Sequence, residues 1–592
     1  MKKSINLNYL WSKFFVNQLA LYGLKYVCIS PGSRSTPLTT AFAENKRIKK
    51  FVIVDERSSA FFALGLAKQT GKPVALVTTS GTATANLYPA IIEAFKQRVP
   101  LIICTTDRPE YLRETGANQT INQKDLYKNH IRYSEDLALP KLSINSFTNL
   151  QRVVEKAFTT AIAKNVGPVH LNFQFEKPLE KSIDNIEVED KFSKNLKELF
   201  SPPLPFSPTP ILPLSVSTKK TDNTKEVLKK INSTQKGLII VGWDSYQSSF
   251  TNKLIKLSQK TGYPILADGA SGIFLRSENN NIIVNHQAFL RSAKFVNSYS
   301  PYLIIQFGNA PTSNTMLDFI KNSSCYKITV NAFGDRKDSG FPHHKILKAN
   351  PNDFCDEVIN ILQKESDKSY LRIYQRADRV VEEFKAKFFK TLKPADEIGV
   401  VNQVIETLPE KSNLFISNSL PIRDLEFFKS KTNKKINLFV NRGASGIDGI
   451  NSTAAGIAAA SKQPTVLITG DLSFFHDTNG LHTIFKYKIP LTIILINNGG
   501  GAIFGMLPIA KEKRNFDDYF LTPLNLDFSK LIKTYKGKYY SIKSFNSLQT
   551  KLNESISNKS FSLLEIKTDY NRGIELRKKY FRDVLKIIEK EL

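Results

Sequence analysis

The sequence predicts an α/β protein of three doubly wound parallel-sheet domains, with the first and third built on one plan. Three observations lead there. The chain has 592 residues, too many for one hydrophobic core and suited to about three domains of roughly 100–200 residues each. Short apolar runs alternate with amphipathic stretches throughout, as when helices cross between parallel strands. A segment of about 40 residues also occurs twice.

The first copy reads ALGLAKQTGKPVALVTTSGTATANLYPAIIEAFKQRVPLIIC and the second AAGIAAASKQPTVLITGDLSFFHDTNGLHTIFKYKIPLTIIL. In each, a glycine (Gly65, Gly456) stands eight residues before a proline (Pro73, Pro464) that opens an apolar strand. A glycine turn (Gly81, Gly470) and a helix follow. Both helices end in Phe-Lys, and a proline comes five residues after the phenylalanine (Phe95 to Pro100, Phe485 to Pro490). A third α/β domain is expected between the copies. The stretch SPPLPFSPTPILP, 201–213, holds six prolines and reads as a stiff, extended linker, since proline fits neither a helix interior nor a central strand. A softer boundary follows the charged helical stretch 366–393. The expected domains are 1–200, 214–365 and 394–592.

Composition narrows the class. Hydrophobic and charged fractions of 41% and 23% are those of an ordinary globular protein. No run of 18 apolar residues predicts a transmembrane helix. The start, MKKSINLNYLWSKFF, has no uninterrupted apolar stretch or small-residue cleavage site, so no secretion signal is expected. The four cysteines form no CxxC pair, and Cys28 and Cys104 lie in apolar runs. That predicts buried thiols in a reducing cytoplasm. A net charge of +29 would by itself suggest nucleic acid or a membrane surface. The lysines are spread over helix-like faces, however, with no RNP-type motif, zinc-finger spacing or basic arm. Solvated faces are expected, with at most a weak pull toward anionic substrates or membrane surfaces and no nucleic-acid partner.

Chemistry concentrates in 465–501, TVLITGDLSFFHDTNGLHTIFKYKIPLTIILINNGGG. Asp471 and Asn498 are 27 residues apart, about one strand–helix–strand unit, each at the end of an apolar run. Ligands of doubly wound sheets bind beyond such strand ends. A carboxylate, an amide oxygen and a backbone carbonyl from Gly499-Gly500-Gly501 are hard donors. They suit Mg²⁺, which completes its octahedron with phosphate oxygens and water. The glycines let the backbone approach a phosphate, and the lack of GxxxxGK[ST] excludes a P-loop. Alternatively, Asp471 caps the next helix and Asn-Asn-Gly is only a turn. The residues alone leave both readings open.

GD followed by NN resembles the diphosphate–metal motif of thiamine diphosphate enzymes, which pair two homologous α/β domains around a middle one. The resemblance implies a thiamine diphosphate-binding fold. It places Gly470, Asp471, Leu472, Ser473 and Asn498 around the cofactor, with Asp471, Asn498 and Gly500 on Mg²⁺ or Mn²⁺. It also calls for an acid from the first domain, and VDERSSAFFALGLA supplies Glu56. That acid would hydrogen-bond the aminopyrimidine ring and promote the tautomer that deprotonates the thiazolium. Outside this constellation Glu56 would read as a surface acid at a strand end.

The stretches ISPGSRSTPL (29–38), TTSGTATANLYPA (78–90), DRPEYLRETGANQTINQ (107–123), SNSLPIRDLE (417–426), NRGASGIDG (441–449) and GAIFGMLP (501–508) narrow the resemblance. Together they closely resemble the 2-succinyl-5-enolpyruvyl-6-hydroxy-3-cyclohexene-1-carboxylate synthase (MenD) family of menaquinone biosynthesis, over essentially the whole chain. The family implies that 2-oxoglutarate is decarboxylated and the succinyl carbanion adds 1,4 to isochorismate. Carboxylate-rich substrates call for guanidiniums, here Arg34, Arg108, Arg423 and Arg442, with Ser419, Asn118 and Gln119 as polar partners. By the resemblance, Ser419 and Arg423 hold the donor's carboxylate end, and Arg34, Asn118 and Arg442 face isochorismate. Gln119 lies close to the reacting carbon, Ile447 wedges the cofactor, and Ile503 and Phe504 line the pocket. A homodimer or homotetramer in the cytoplasm is expected.

One departure is visible. Where the family commonly has basic residues in a middle-domain loop, FGNAPTSNTMLDF places Asn314 and Thr315, with Lys321 as a nearby substitute. His343-His344 is expected to be structural, and His476 is unassigned. Two rival readings remain: another thiamine diphosphate-dependent 2-oxoacid lyase with a different acceptor, and a polyanion-binding protein on a vestigial fold.

Overall fold

The computed structural model describes residues 2–163, 165–189, 192, 222–337, 340, 343–362, 367–393 and 396–592. The proline-rich stretch 201–213 lies outside them. The described residues form three six-stranded parallel sheets, as the alternating pattern predicts. The first sheet runs Lys49–Val52, Tyr26–Ile29, Val74–Thr78, Leu101–Asp107, Val169–Gln174 and Tyr133–Leu137 in spatial order. The third runs Asn437–Phe439, Asn413–Ile416, Thr465–Gly470, Thr492–Asn497, Ser562–Lys567 and Lys538–Ser541. Numbered along the chain within each domain, both have the order 2-1-3-4-6-5. The repeat read from the sequence is thus a repeat of topology. The middle sheet, built from strands between Gly237 and Lys348, has the doubly wound order 3-2-1-4-5-6. Central strands such as Val74–Thr78 are buried at every position, which is why they read as continuous apolar runs.

The compact units do not follow chain order. One comprises Met1–Ile211, Asn441–Lys462 and His476–Ile489; the other comprises Leu212–Val440, Gln463–Phe475 and Pro490–Leu592. In the first unit, helix Glu56–Thr70 packs on helix Ile450–Ala460, one from each copy of the repeat. A methyl group on Gly65 would lie 2.1 Å from the Thr453 carbonyl oxygen, and one on Gly456 would lie 2.1 Å from that of Phe62. Only glycine lets these backbones approach so closely. The glycines that align in sequence meet in space.

In the second unit, one apolar core joins the middle and third sheets, with Ile239, Ile265 and Ile305 in the same cluster as Leu414, Ile468 and Ile494. The charged stretch preceding the softer boundary forms helix Ser369–Phe389. Its Tyr374, Val381 and Phe388 share a core with Tyr580, Val584 and Ile588 of helix Tyr570–Glu591. Cys28, Cys104 and Cys355 are buried free thiols and Cys325 is half-buried.

Candidate active site

In the first unit, loops at the carboxyl ends of the first sheet enclose a cavity of about 780 Å³. Its lining includes Gly32, Glu56, Ser80, Gly81, Asn118 and Gln119. The volume is ordinary for a small-molecule or cofactor site. Glu56 is the first residue of helix Glu56–Thr70, whose cap is the neighbouring Asp55, accepting the Ser58 N–H. Burial pushes the Glu56 carboxyl above the usual carboxylate range, and the Asp55 charge adds to the rise. The SPGSR loop needs its glycine, because a methyl on Gly32 would lie 2.3 Å from Thr79 Cβ.

Arg34 and Arg108 lie close enough to repel. Burial, and then the Arg108 charge, lower the pKa of Arg34. Two guanidiniums held together favour an anion that relieves their repulsion. Arg34 donates to the Phe175 carbonyl at 2.8 Å. Arg108 is buried and donates to Ser80 Oγ and, at 2.8 Å, to the Gln119 carbonyl. It thereby sets the exposed Asn118–Gln119 turn, where Gln119 has a left-handed φ of 55°.

Residues without an individual sequence signal complete this frame. Gln123 accepts the Gly81 N–H at 2.8 Å and donates to Asn172 at 2.9 Å. Asn172 in turn donates to Asp107 and Asp136, both paired with Arg113. The buried Glu93 accepts from two successive backbone N–H groups, Gly443 at 2.8 Å and Ala444 at 2.6 Å. Lys68, half-buried beside that acid, donates to Asn441 Oδ1 at 2.6 Å. These contacts bracket Arg442 on both sides. Ile447 is half-buried in the same segment.

In the second unit, Thr465–Gly470 and Thr492–Asn497 are adjacent parallel strands with Gly470 opposite Ile496. Asp471 and Asn498 therefore emerge side by side. Asp471 is 2% exposed and accepts hydrogen bonds from the Leu472, Gly500 and Gly499 backbone. Desolvation nevertheless pushes its carboxyl up to about 6. Asn498 is buried, and its Nδ2 donates to Glu397 Oε1 at 3.1 Å while its Oδ1 has no partner. A buried acceptor left unpaired costs about 1–3 kcal/mol. The Gly500 carbonyl accepts from Ala502 N–H at 2.9 Å, which occupies one of its two lone pairs. Ser473 is buried, 3.4 Å from Ser417 Oγ. Among the described residues no group of three or more His, Cys, Asp or Glu side chains could hold a metal. The candidate centre consists of one acid, one amide oxygen and backbone.

Ser419 and Arg423 also come together in this unit. Ser419 opens helix Leu420–Phe428 with φ 72°, a conformation costing a non-glycine residue about 1–3 kcal/mol and common at functional sites. Arg423 donates to its carbonyl at 2.8 Å. Ile503 and Phe504 are half-buried in the 3₁₀ turn Ala502–Met506. Asn314 and Thr315 form the first turn of helix Asn314–Asn322, capped by Ser313, with Lys321 in the last turn. At 1.5 Å per residue, Lys321 is roughly 10 Å along the axis from Asn314. His343 bonds Thr329 Oγ1, and His344 accepts the Lys327 N–H at 3.1 Å and stacks on Tyr326, as structural histidines would. In the first unit His476 accepts from Arg57 through its carbonyl at 2.8 Å.

Comparison with known proteins agrees with this architecture. Family models match the N-terminal thiamine pyrophosphate-binding domain at residues 11–126, the middle domain of thiamine pyrophosphate enzymes at 213–416, and the C-terminal binding domain at 430–566. A benzoylformate decarboxylase structure from Polynucleobacter necessarius superposes with a TM-score of 0.70 at 18% identity, covering 95% of this chain and 98% of that one; this likeness speaks to fold alone. The protein is a thiamine diphosphate (pyrophosphate) enzyme by class. Curated 2-succinyl-5-enolpyruvyl-6-hydroxy-3-cyclohexene-1-carboxylate synthases of Bacillus cytotoxicus and Trichodesmium erythraeum are 34% and 37% identical to it. The alignments cover 97% and 95% of this chain and 96% of each relative. The chain belongs to the family of these synthases.

Proposed function

We propose that the protein decarboxylates 2-oxoglutarate and transfers the succinyl fragment to isochorismate, forming 2-succinyl-5-enolpyruvyl-6-hydroxy-3-cyclohexene-1-carboxylate for menaquinone biosynthesis. It uses thiamine diphosphate with Mg²⁺ or Mn²⁺, acts in the cytoplasm and is at least a dimer. The observation that carries the reading is the buried Asp471 carboxylate beside the partnerless Asn498 Oδ1. Two hard, desolvated oxygens at adjacent strand ends fit an octahedral cation that also takes phosphate oxygens. No described helix is long and apolar enough to cross a membrane.

When bound, thiamine diphosphate supplies the nucleophile and electron sink for the decarboxylation and carbon–carbon bond formation. The chain's residues hold and orient. Glu56, its carboxyl pushed above the usual carboxylate range by burial, would hydrogen-bond a ring nitrogen and exchange a proton with it. Asp471, Asn498 and the Gly500 carbonyl hold the cation, while Gly470, Leu472 and Ser473 line the diphosphate. In the second unit Ile503 and Phe504 would shield the bound cofactor from water, a part that Ile447 would take in the first unit. Ser419 and Arg423 bind the carboxylate end of 2-oxoglutarate; Arg34, Asn118 and Arg442 face isochorismate, and Gln119 the reacting carbon. Arg108 keeps Gln119 in place.

The deciding assay is isochorismate consumption by the purified protein with thiamine diphosphate and Mg²⁺, with and without 2-oxoglutarate. Consumption that requires both the cofactor and 2-oxoglutarate is expected. Decarboxylation that spares isochorismate would mean a different acceptor. Arg423→Ala should raise KM for 2-oxoglutarate about 10- to 100-fold, the loss of one charge-assisted carboxylate contact, and affect isochorismate far less. Equal losses for both substrates would refute this assignment. Glu93→Gln, which turns one of the two acceptors for the Gly443 and Ala444 N–H groups into a donor, should raise KM for isochorismate about tenfold through Arg442. An unchanged KM would show that the Arg442 loop does not depend on this acid.

A further inference from the structure

Asn498 can act as a metal ligand only with one face of its amide. Its Oδ1 accepts a cation, whereas its NH₂ repels one, and the two ends have nearly the same shape. Something must fix which end points where. In the second unit that contact is with Glu397, at the start of the 3₁₀ turn Glu397–Gly399. Its Oε1 accepts Asn498 Nδ2 at 3.1 Å, and an ionised carboxylate only accepts. The amide therefore presents NH₂ to Glu397 and leaves Oδ1 the end without a partner.

Glu397 is itself held. Arg577, 1% exposed, donates through Nη2 to Glu397 Oε1 at 3.0 Å and through Nε to Asp424 Oδ1 at 2.8 Å. Its Nη2 also reaches Asp424 Oδ2. Asp424 follows Arg423 on helix Leu420–Phe428. All three ionic groups are buried. Glu397 and Asp424 share the permanently charged Arg577 guanidinium, and the Arg423 charge also acts on Asp424. A carboxylate acceptor held in place on the NH₂ side of the amide leaves its oxygen toward the far side, where a cation would bind.

We infer that Glu397, anchored by Arg577 and Asp424, is a positioning residue that locks the Asn498 side chain with its oxygen toward the metal. The inference rests on the proposed metal centre. Outer-shell partners of this kind are worth about 10- to 100-fold in metal affinity.

The test is Mn²⁺ affinity, read by electron paramagnetic resonance at saturating thiamine diphosphate, in wild type, Glu397→Gln, Asn498→Ala and the double variant. Glu397→Gln replaces the carboxylate with an amide that no longer dictates which way Asn498 faces. Mn²⁺ binding should weaken about 10- to 100-fold, and the same substitution should cost no more than about twofold once Asn498 is alanine. Equal losses in both backgrounds would assign Glu397 a purely electrostatic or structural part and overturn the inference. So would an unchanged affinity in the single variant. A wild-type protein with no Mn²⁺ site would bring down the metal centre itself. If Glu397→Gln does not fold, Glu397→Asp carries the test, because it keeps the charge and draws the carboxylate back from Asn498. Weakened Mn²⁺ binding in Glu397→Asp would support the positioning role, and wild-type affinity would overturn it.

Discussion

Glu56→Gln should give a folded protein that binds thiamine diphosphate and metal yet turns over at least about 100-fold more slowly, within the 10²–10⁴ range of a lost general acid–base group. The substitution keeps size and shape. It leaves the start of helix Glu56–Thr70 intact, because the cap is Asp55, which accepts the Ser58 N–H at 2.8 Å and the Asn479 amide at 2.7 Å. The Glu56 carboxyl, raised by burial above the usual carboxylate range, can exchange a proton, which an amide cannot. Calorimetric cofactor titration should match wild type while kcat falls. Wild-type kcat would remove this acid from the mechanism.

Asp471→Asn should abolish metal-dependent cofactor binding, with a loss beyond the roughly 10- to 100-fold typical of outer-shell changes. The sign of its pH dependence follows from the carboxyl's position at about 6. Only the deprotonated form binds the cation, so wild-type Mg²⁺ affinity should fall about tenfold per pH unit below 6. Without metal the raised pKa works the other way. Its stabilising contribution is full below the unfolded value near 3.8 and is lost as pH rises through 6. In EDTA at pH 7.5 the asparagine variant should therefore melt no lower than wild type, and at the same pH with Mg²⁺ and cofactor it should melt lower. A variant that keeps Mg²⁺-dependent cofactor binding would exclude Asp471 as a ligand.

What was legible in the sequence had local spacing. The repeat showed because helix, proline, strand and glycine turn recur at fixed offsets, and strand order 2-1-3-4-6-5 recurs with them. Asp471 and Asn498 showed because each ends an apolar strand. Glu93, Glu397, Asp424 and Arg577 gave no such signal. Glu93 and Gly443 are 350 residues apart, Glu397 and Asn498 101, and Asp424 and Arg577 153. No periodicity couples positions so distant. Arg577 sits in a lysine-rich, 22-residue helix, where a basic residue reads as solvated until its partners are seen. The stretch 366–393 read as a charged helix and helix Ser369–Phe389 is there, but its apolar stripe, which packs in the core, was masked by the charge. Asn314, assigned to a loop, begins a helix because Ser313 caps it.

The contact between Gly65 and Gly456 carries a meaning beyond close packing. Equivalent positions of two related segments touch each other, Gly65 against the Thr453 backbone and Gly456 against that of Phe62. A two-fold axis produces this relation in a symmetric pair, where a surface meets its own copy. The single chain therefore holds within itself the kind of self-complementary handshake that two identical subunits make. It does so with two segments that carry different chemistry, Glu56 in one repeat and Asp471 and Asn498 in the other.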